Sequence, residues 1–189
     1  MKKILALLAI VLISNQALCD KVDLPDAPKG FKWVKILKDE SALLKPRGWY
    51  FKEDHPKGTD AYFVTKENIE KKGSFQTGLS LNVIYNIDKK SEASPTRYAE
   101  SMIHYMGEDK AKEILQSNSR KNGPFTTLLC RIKDQRPGEE DVIIHYFFIA
   151  NDETGTLWMY FFEAPESEWD EAWGIGSVLL KNIVVESEI

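Results

Sequence analysis

Two long apolar runs dominate the second half of the chain. Residues 142–150 (VIIHYFFIA) and 157–162 (LWMYFF) are β-branched or aromatic almost throughout, a composition suited to a pleated, packed surface. Neither run alternates with polar residues, so each is expected as a strand central to a sheet and covered on both faces. The intervening NDETGT is turn-rich and short enough for a hairpin. Pro165 ends the second strand, since it has no N–H for the ladder. A helix follows. Trp169, Ala172, Trp173, Gly176, Leu179, Leu180 and Ile183 share one face, and Glu166, Glu168, Asp170 and Glu171 complement the positive end of its dipole. Gly174 and Gly176 each cost about 1 kcal/mol of helix stability relative to alanine. Gly176 lies on the apolar face, where close approach to the sheet would explain it.

The pattern upstream predicts more sheet and one more main helix. Residues 33–37 and 41–44 read as short strands joined at Lys38-Asp39-Glu40, residues 48–51 open a third, and residues 61–65 form the returning one. Residues 66–72 read as a turn or two of helix ended by Gly73. Residues 79–87 give the cleanest alternation, with Leu79, Leu81, Val83, Tyr85 and Ile87 expected on one face. Ser94-Pro95 is a helix start, followed by a stripe of Tyr98, Met102, Tyr105 and Met106 closed by Gly107. Residues 109–117 allow two readings: their composition favours helix, while the Asn122-Gly123 turn before the run 125–132 suggests a hairpin whose incoming strand spans about 114–120. The sum is an α+β fold, an antiparallel β-sheet sandwiched by helices.

The N-terminus changes the picture of location. Lys2 and Lys3 precede an uninterrupted apolar run, 4–13, too short for a bilayer span, which needs about 20 residues. Small residues at Ala17 and Cys19 place cleavage before Asp20. The expected organisation is a signal peptide at 1–19, a short proline-containing leader at 20–30 and one domain at 31–187, in a periplasmic or secreted protein with no transmembrane segment. Leu18 before Cys19 makes lipidation of Cys19 the less favoured reading. Loss of Lys2 and Lys3 takes the formal net charge from −4 to about −6, which argues against nucleic acid or anionic lipid as partner. Cys130 then stands alone in an apolar run, as a buried small side chain rather than a nucleophile.

Chemistry-bearing motifs are missing from the sequence. It holds no HxH, HExxH, CxxC, GxSxG or P-loop spacing, so no catalytic residue, metal ligand or cofactor is assigned. Of the three histidines, His55 lies in a polar loop, His104 on a polar helix face one turn from Glu108, and His145 inside an apolar strand.

The order of landmarks is informative. A Pro-x-Gly-Trp turn (Pro46, Gly48, Trp49) precedes a strand. An SLNV strand (80–83) leads to Ser-Pro and a helix ending Met106-Gly107. A hairpin, two long apolar strands and an Ala-Pro-x-x-x-Trp helix start (Ala164, Pro165, Trp169) follow. This arrangement resembles the PsbP-like superfamily, which contains the photosystem II extrinsic protein, bacterial DcrB-type envelope proteins and eukaryotic Ran-binding Mog proteins. The resemblance spans residues 31–185. It implies an α-β-α sandwich, a strand at 114–120, and action by binding other proteins rather than by catalysis. Some photosystem members are associated with metal or ion retention, but the bacterial-type signal and short leader depart from the photosynthetic members.

The expected function is therefore a secreted or periplasmic, non-catalytic accessory factor that binds an envelope protein of unknown identity. Trp33, Trp49 and Tyr50, in an N-terminal sheet crowded with aromatics, are the candidate partner surface. The alternative is a small-molecule or metal-ion binder with a pocket between sheet and C-terminal helix near His145, Trp169 and Trp173.

Overall fold

The computed structural model describes residues 24–39 and 41–185. The expected signal peptide, Cys19 and the start of the leader lie outside the described residues. Two strands, β1 (Phe31–Ile36) and β2 (Ser41–Pro46), form an antiparallel hairpin sheet. Seven more form one antiparallel sheet: β3 (Tyr50–Asp54), β4 (Thr59–Thr65), β5 (Gly78–Ile84), β6 (Lys112–Asn122), β7 (Phe125–Asp134), β8 (Val142–Asn151) and β9 (Thr156–Pro165). Their order is β3-β4-β5-β9-β8-β7-β6. Among the described residues four α-helices accompany them: α1 (Ile69–Lys72), α2 (Ile87–Ser91), α3 (Pro95–Glu108) and α4 (Trp169–Lys181).

The lack of alternation in the two apolar runs has the expected cause. β9 and β8 are interior strands with helix on either side. In β9, Trp158, Tyr160 and Phe162 enter a core shared with the β1–β2 hairpin and α4, through Leu43, Leu44, Trp169, Ala172 and Leu179. Leu157 and Met159 enter the opposite core with Ala99 of α3 and Ile87 of α2. Trp158, Tyr160 and Phe162 are at most 1% exposed. Burial of a side chain such as Phe162 contributes about 2–3 kcal/mol by transfer alone.

α4 begins after a 3-10 turn at Glu166–Glu168, with Asp170 and Glu171 in its first turn and Lys181 in its last, charges that suit the macrodipole at both ends. At Gly176 the helix comes down on β9. A Cβ built there would lie 2.6 Å from Cδ1 and Cε1 of Phe162.

Three local readings need correction. Tyr105 is 68% exposed, and Ile103 packs on the sheet with Tyr98, Met102 and Met106. The stripe is centred by Ala99, which is fully buried; at about 100° per residue that centre leaves Tyr105 beyond the edge. Gly107 does not close α3, which runs on to Glu108 and ends at Asp109 in extended conformation. A Cβ on Gly107 would sit 3.2 Å from Ile114 Cδ1, the end of an exposed side chain that can give way. Ile87 does not share a face with Leu79, Leu81 and Val83. β5 stops at Ile84, Asn86 takes a left-handed conformation (φ 52°), and Ile87 opens α2 on the other side of the sheet.

The segment 109–117 is turn and strand. β6 pairs with β7 throughout its length, with a bulge between Ile114 and Gln116. Cys130 is a free thiol and fully buried, and burial pushes it above the ordinary thiol range. In a chain carrying Cys19→Ser, the folded protein is expected to leave an aromatic disulfide reagent unreacted over minutes. The same chain should release one equivalent of coloured thiolate once unfolded in guanidinium; prompt release from the folded chain would contradict this packing.

Candidate binding site

The sheet register builds the site. Arg131 of β7 pairs with His145 of β8, and His145 with Phe162 of β9, so the three lie in one row across the sheet and share a face. The next row on that face is Leu129, Phe147 and Tyr160. α4 crosses above and brings Trp169 and Trp173, one helical turn apart, over the first row. Their rings stack 5.2 Å apart at 14°.

Arg131 and His145 are held tightly. The Arg131 guanidinium lies 4.3 Å from the Trp173 ring centre and 5.1 Å from that of Trp169, close enough for cation–π attraction. Its Nε–H donates to His145 Nδ1 at 3.2 Å. His145 is 4% exposed, with its ring 4.5 Å from that of Trp173. Burial, aided by the Arg131 charge, pushes the imidazole down to about 4. At neutral pH the ring is uncharged, and because Nδ1 accepts, Nε2 carries the proton. Beside this cluster lies a cavity of about 310 Å³ between α4 and the β6–β7–β8 end of the sheet. Arg131, His145 and Trp173 line it, with Gln116 of β6 and Ser177 and Lys181 of α4. Among the described residues no carboxylate pairs with Arg131.

A larger cavity, about 650 Å³, opens where the β1–β2 connection meets β3 and β4. Its wall carries a hydrogen-bonded chain: Tyr85 Oη donates to Asp60 Oδ2 at 2.8 Å, and Asp60 Oδ1 meets His55 Nδ1 at 2.7 Å. Above it, Leu37 and Lys38 both have positive φ, 51° and 55°, and the Leu37 N–H donates to Tyr62 Oη at 3.2 Å. The Tyr62 hydroxyl thus supports a connection that holds two non-glycine residues in the left-handed region. His55 is a surface residue.

No protein-family model and no curated protein matches the chain. Among solved structures, cyanobacterial PsbP (CyanoP) from Synechocystis sp. PCC 6803 aligns with a TM-score of 0.50 and 13% identity, over 84% of this chain and 94% of that one. The Ran-binding protein Mog1p from Saccharomyces cerevisiae aligns with a TM-score of 0.51 and 13% identity, over 84% and 97%. The chain has the PsbP-like fold. At this identity the likeness is one of architecture, so the sites have to be read from this chain's own residues.

Within the PsbP-like frame the candidate residues separate. His145 and Trp173 meet at the smaller cavity, and Trp169 backs them by stacking on Trp173 and holding Arg131. Trp33 and Trp49 are half-buried against the main core, and Trp33 Nε1 donates to the Pro25 carbonyl at 2.6 Å. Tyr50 stands apart on edge strand β3, 46% exposed. His104 meets Glu108 at 3.4 Å on the open face of α3. No group of three or more metal-ligating side chains occurs among the described residues.

Arg131 is the residue that the pattern of the sequence does not single out. The signal is there in retrospect: an arginine between Cys130 and Ile132, both fully buried. Only the strand register couples it to His145. The chain of His55, Asp60 and Tyr85 likewise needs the β4–β5 pairing, which sets Asp60 opposite Val83.

Proposed function

We propose that the protein is a secreted or periplasmic, non-catalytic PsbP-like domain that binds a protein partner in the cell envelope. The location rests on the charged start and apolar run of the first 19 residues. The observation that carries the binding reading is β6. This eleven-residue strand forms one edge of the sheet, and every residue from 113 to 122 is exposed. Its outer backbone groups form a template for a further strand. Charges blunt its ends, Lys112 and Glu113 at one and Arg120 and Lys121 at the other, but 114–119 (ILQSNS) carries none. Of the four large apolar side chains exposed among the described residues, three are Tyr105, Ile114 and Leu115, in α3 and at the start of β6. Mog1p, which shares the fold, is a Ran-binding protein, which supports a protein as the class of partner.

Site-specific photocrosslinking in intact cells tests this. A photoreactive residue at Ser119 is expected to give a discrete adduct, and the pair Ile114→Lys and Leu115→Lys is expected to abolish it. A discrete adduct from Tyr50 with none from Ser119 would move the surface to the opposite edge and refute the assignment to β6.

A further inference from the structure

We propose that the cavity between α4 and the β6–β7–β8 end of the sheet is a binding site for a carboxylate carried on an apolar or aromatic body. This inference is independent of the protein-binding role of β6. Its first support is the charge balance. The ionisable side chains that line the cavity are Arg131 and Lys181, which are cationic, and His145; none is acidic. Among the described residues Arg131 donates through Nε alone, toward His145. Holding a part-buried guanidinium with no internal counter-ion is costly, and stacking on Trp173 and Trp169 returns only part of that cost. An external anion supplies the missing partner, and a carboxylate matches the planar fork in two parallel hydrogen bonds.

The second support is the set of donors. Because His145 Nδ1 accepts from Arg131, its remaining nitrogen carries a proton at neutral pH and can only donate. Gln116 and Lys181 add an amide and an ammonium at the same cavity. This set suits an anion better than a metal ion: two cations line the cavity, the one acceptor nitrogen of His145 is taken, and the neutral oxygens of Gln116 and Ser177 are the remaining lone-pair donors among the lining side chains. The rest of the wall is apolar, with Leu129, Phe147, Trp173 and Leu180. At about 310 Å³ the space lies at the small end of ligand pockets, enough for a compact acid or for the terminal residue of a peptide. Those two sources share the same chemistry.

Calorimetric titration of the full chain at constant ionic strength, with tryptophan fluorescence in parallel, separates the outcomes. The probes are phenylacetate, its neutral counterpart phenylacetamide, the peptide Ala-Leu-Phe with free and with amidated C-terminus, and inorganic phosphate. Saturable binding is expected for phenylacetate or the free-acid peptide, at least about tenfold tighter than for the matching amide. Whichever acid binds more tightly identifies a small acid or a chain terminus as the source. Arg131→Met, with an unchanged circular dichroism spectrum, should weaken the acid by about 10- to 100-fold. Equal binding of acids and amides, wild-type affinity in folded Arg131→Met, tighter binding of phosphate than of either acid, or no saturation by any acid would overturn the proposal. If Arg131→Met does not fold, the comparison of phenylacetate with phenylacetamide on the unsubstituted protein decides alone.

Discussion

Gly176→Ala is expected to destabilise the protein by about 2 kcal/mol, although alanine is the better helix former. The propensity gain is about 1 kcal/mol. Against it stands the new methyl, whose carbon would lie 2.6 Å from two atoms of the Phe162 ring and 2.8 Å from a third. That ring cannot swing away. It is fully buried and contacts Trp169 and Trp173 edge-on, each at 6.0 Å between centroids. α4 must therefore lift off β9, and overpacking of this kind typically costs 1–3 kcal/mol, occasionally more. The upper part of that range applies because neither partner has a flexible end. Urea unfolding measures the loss. For a protein of this size it corresponds to a fall of about 4–8 °C in the thermal midpoint. Phe162→Leu in the same chain makes room for the methyl, so the double variant should be less unstable than the sum of the two single ones. Strict additivity, or a stabilised Gly176→Ala, would mean that the helix does not sit on the sheet at this point.

The second large effect is in acid. His145 has its imidazole held down to about 4 in the folded protein, against about 6.5 in the unfolded chain. Between these values the unfolded chain binds a proton that the folded one refuses. Stability therefore falls as pH falls from about 6.5 to about 4, and levels off below the folded value. The window is worth on the order of 3 kcal/mol. Glu163 works in the opposite direction. Burial raises its carboxyl, so the folded protein takes up its proton earlier than the unfolded chain and gains stability on acidification. The difference between wild type and His145→Gln cancels Glu163 and the other groups common to both proteins. Glutamine can still accept the Arg131 hydrogen bond. Urea titrations at several pH values should show wild type losing about 3 kcal/mol relative to His145→Gln across that window; parallel curves would sink the assignment.

What the sequence discloses and what it hides follow one physical division. Properties fixed by neighbours along the chain are legible. The Ser94 cap and Pro95 start of α3, the left-handed Gly73 after α1, and the descent of Gly176 onto the sheet all follow from local chemistry. The double burial of 142–150 and 157–162 follows from composition alone. Tyr105 is misplaced because periodicity sets a direction but not a centre, and a small residue such as Ala99 can define the buried axis while larger ones sit at its margin; Ile87 is misplaced because alternation does not show where β5 ends and the chain turns at Asn86. At the candidate site, His145, Trp169 and Trp173 stand out as an aromatic cluster beside an interior histidine. Arg131 does not, because its role depends on which residue of β8 lies opposite.

The strand order carries a further consequence, for how the polypeptide reaches this state. β5 lies between β4 and β9, and its pairing runs from Gly78 opposite Glu163 to Ile84 opposite Leu157. β6 to β9 form a continuous meander of sequence neighbours, whereas β3, β4 and β5 join it only through β9, the last strand made. Closing that long loop must precede any reward from the contact, which slows folding. During synthesis, the segment with Leu79, Leu81 and Val83 has no partner on one side until residues 156–165 emerge. A truncated product ending before them would present an apolar strand with an open edge, the condition under which such chains associate with one another.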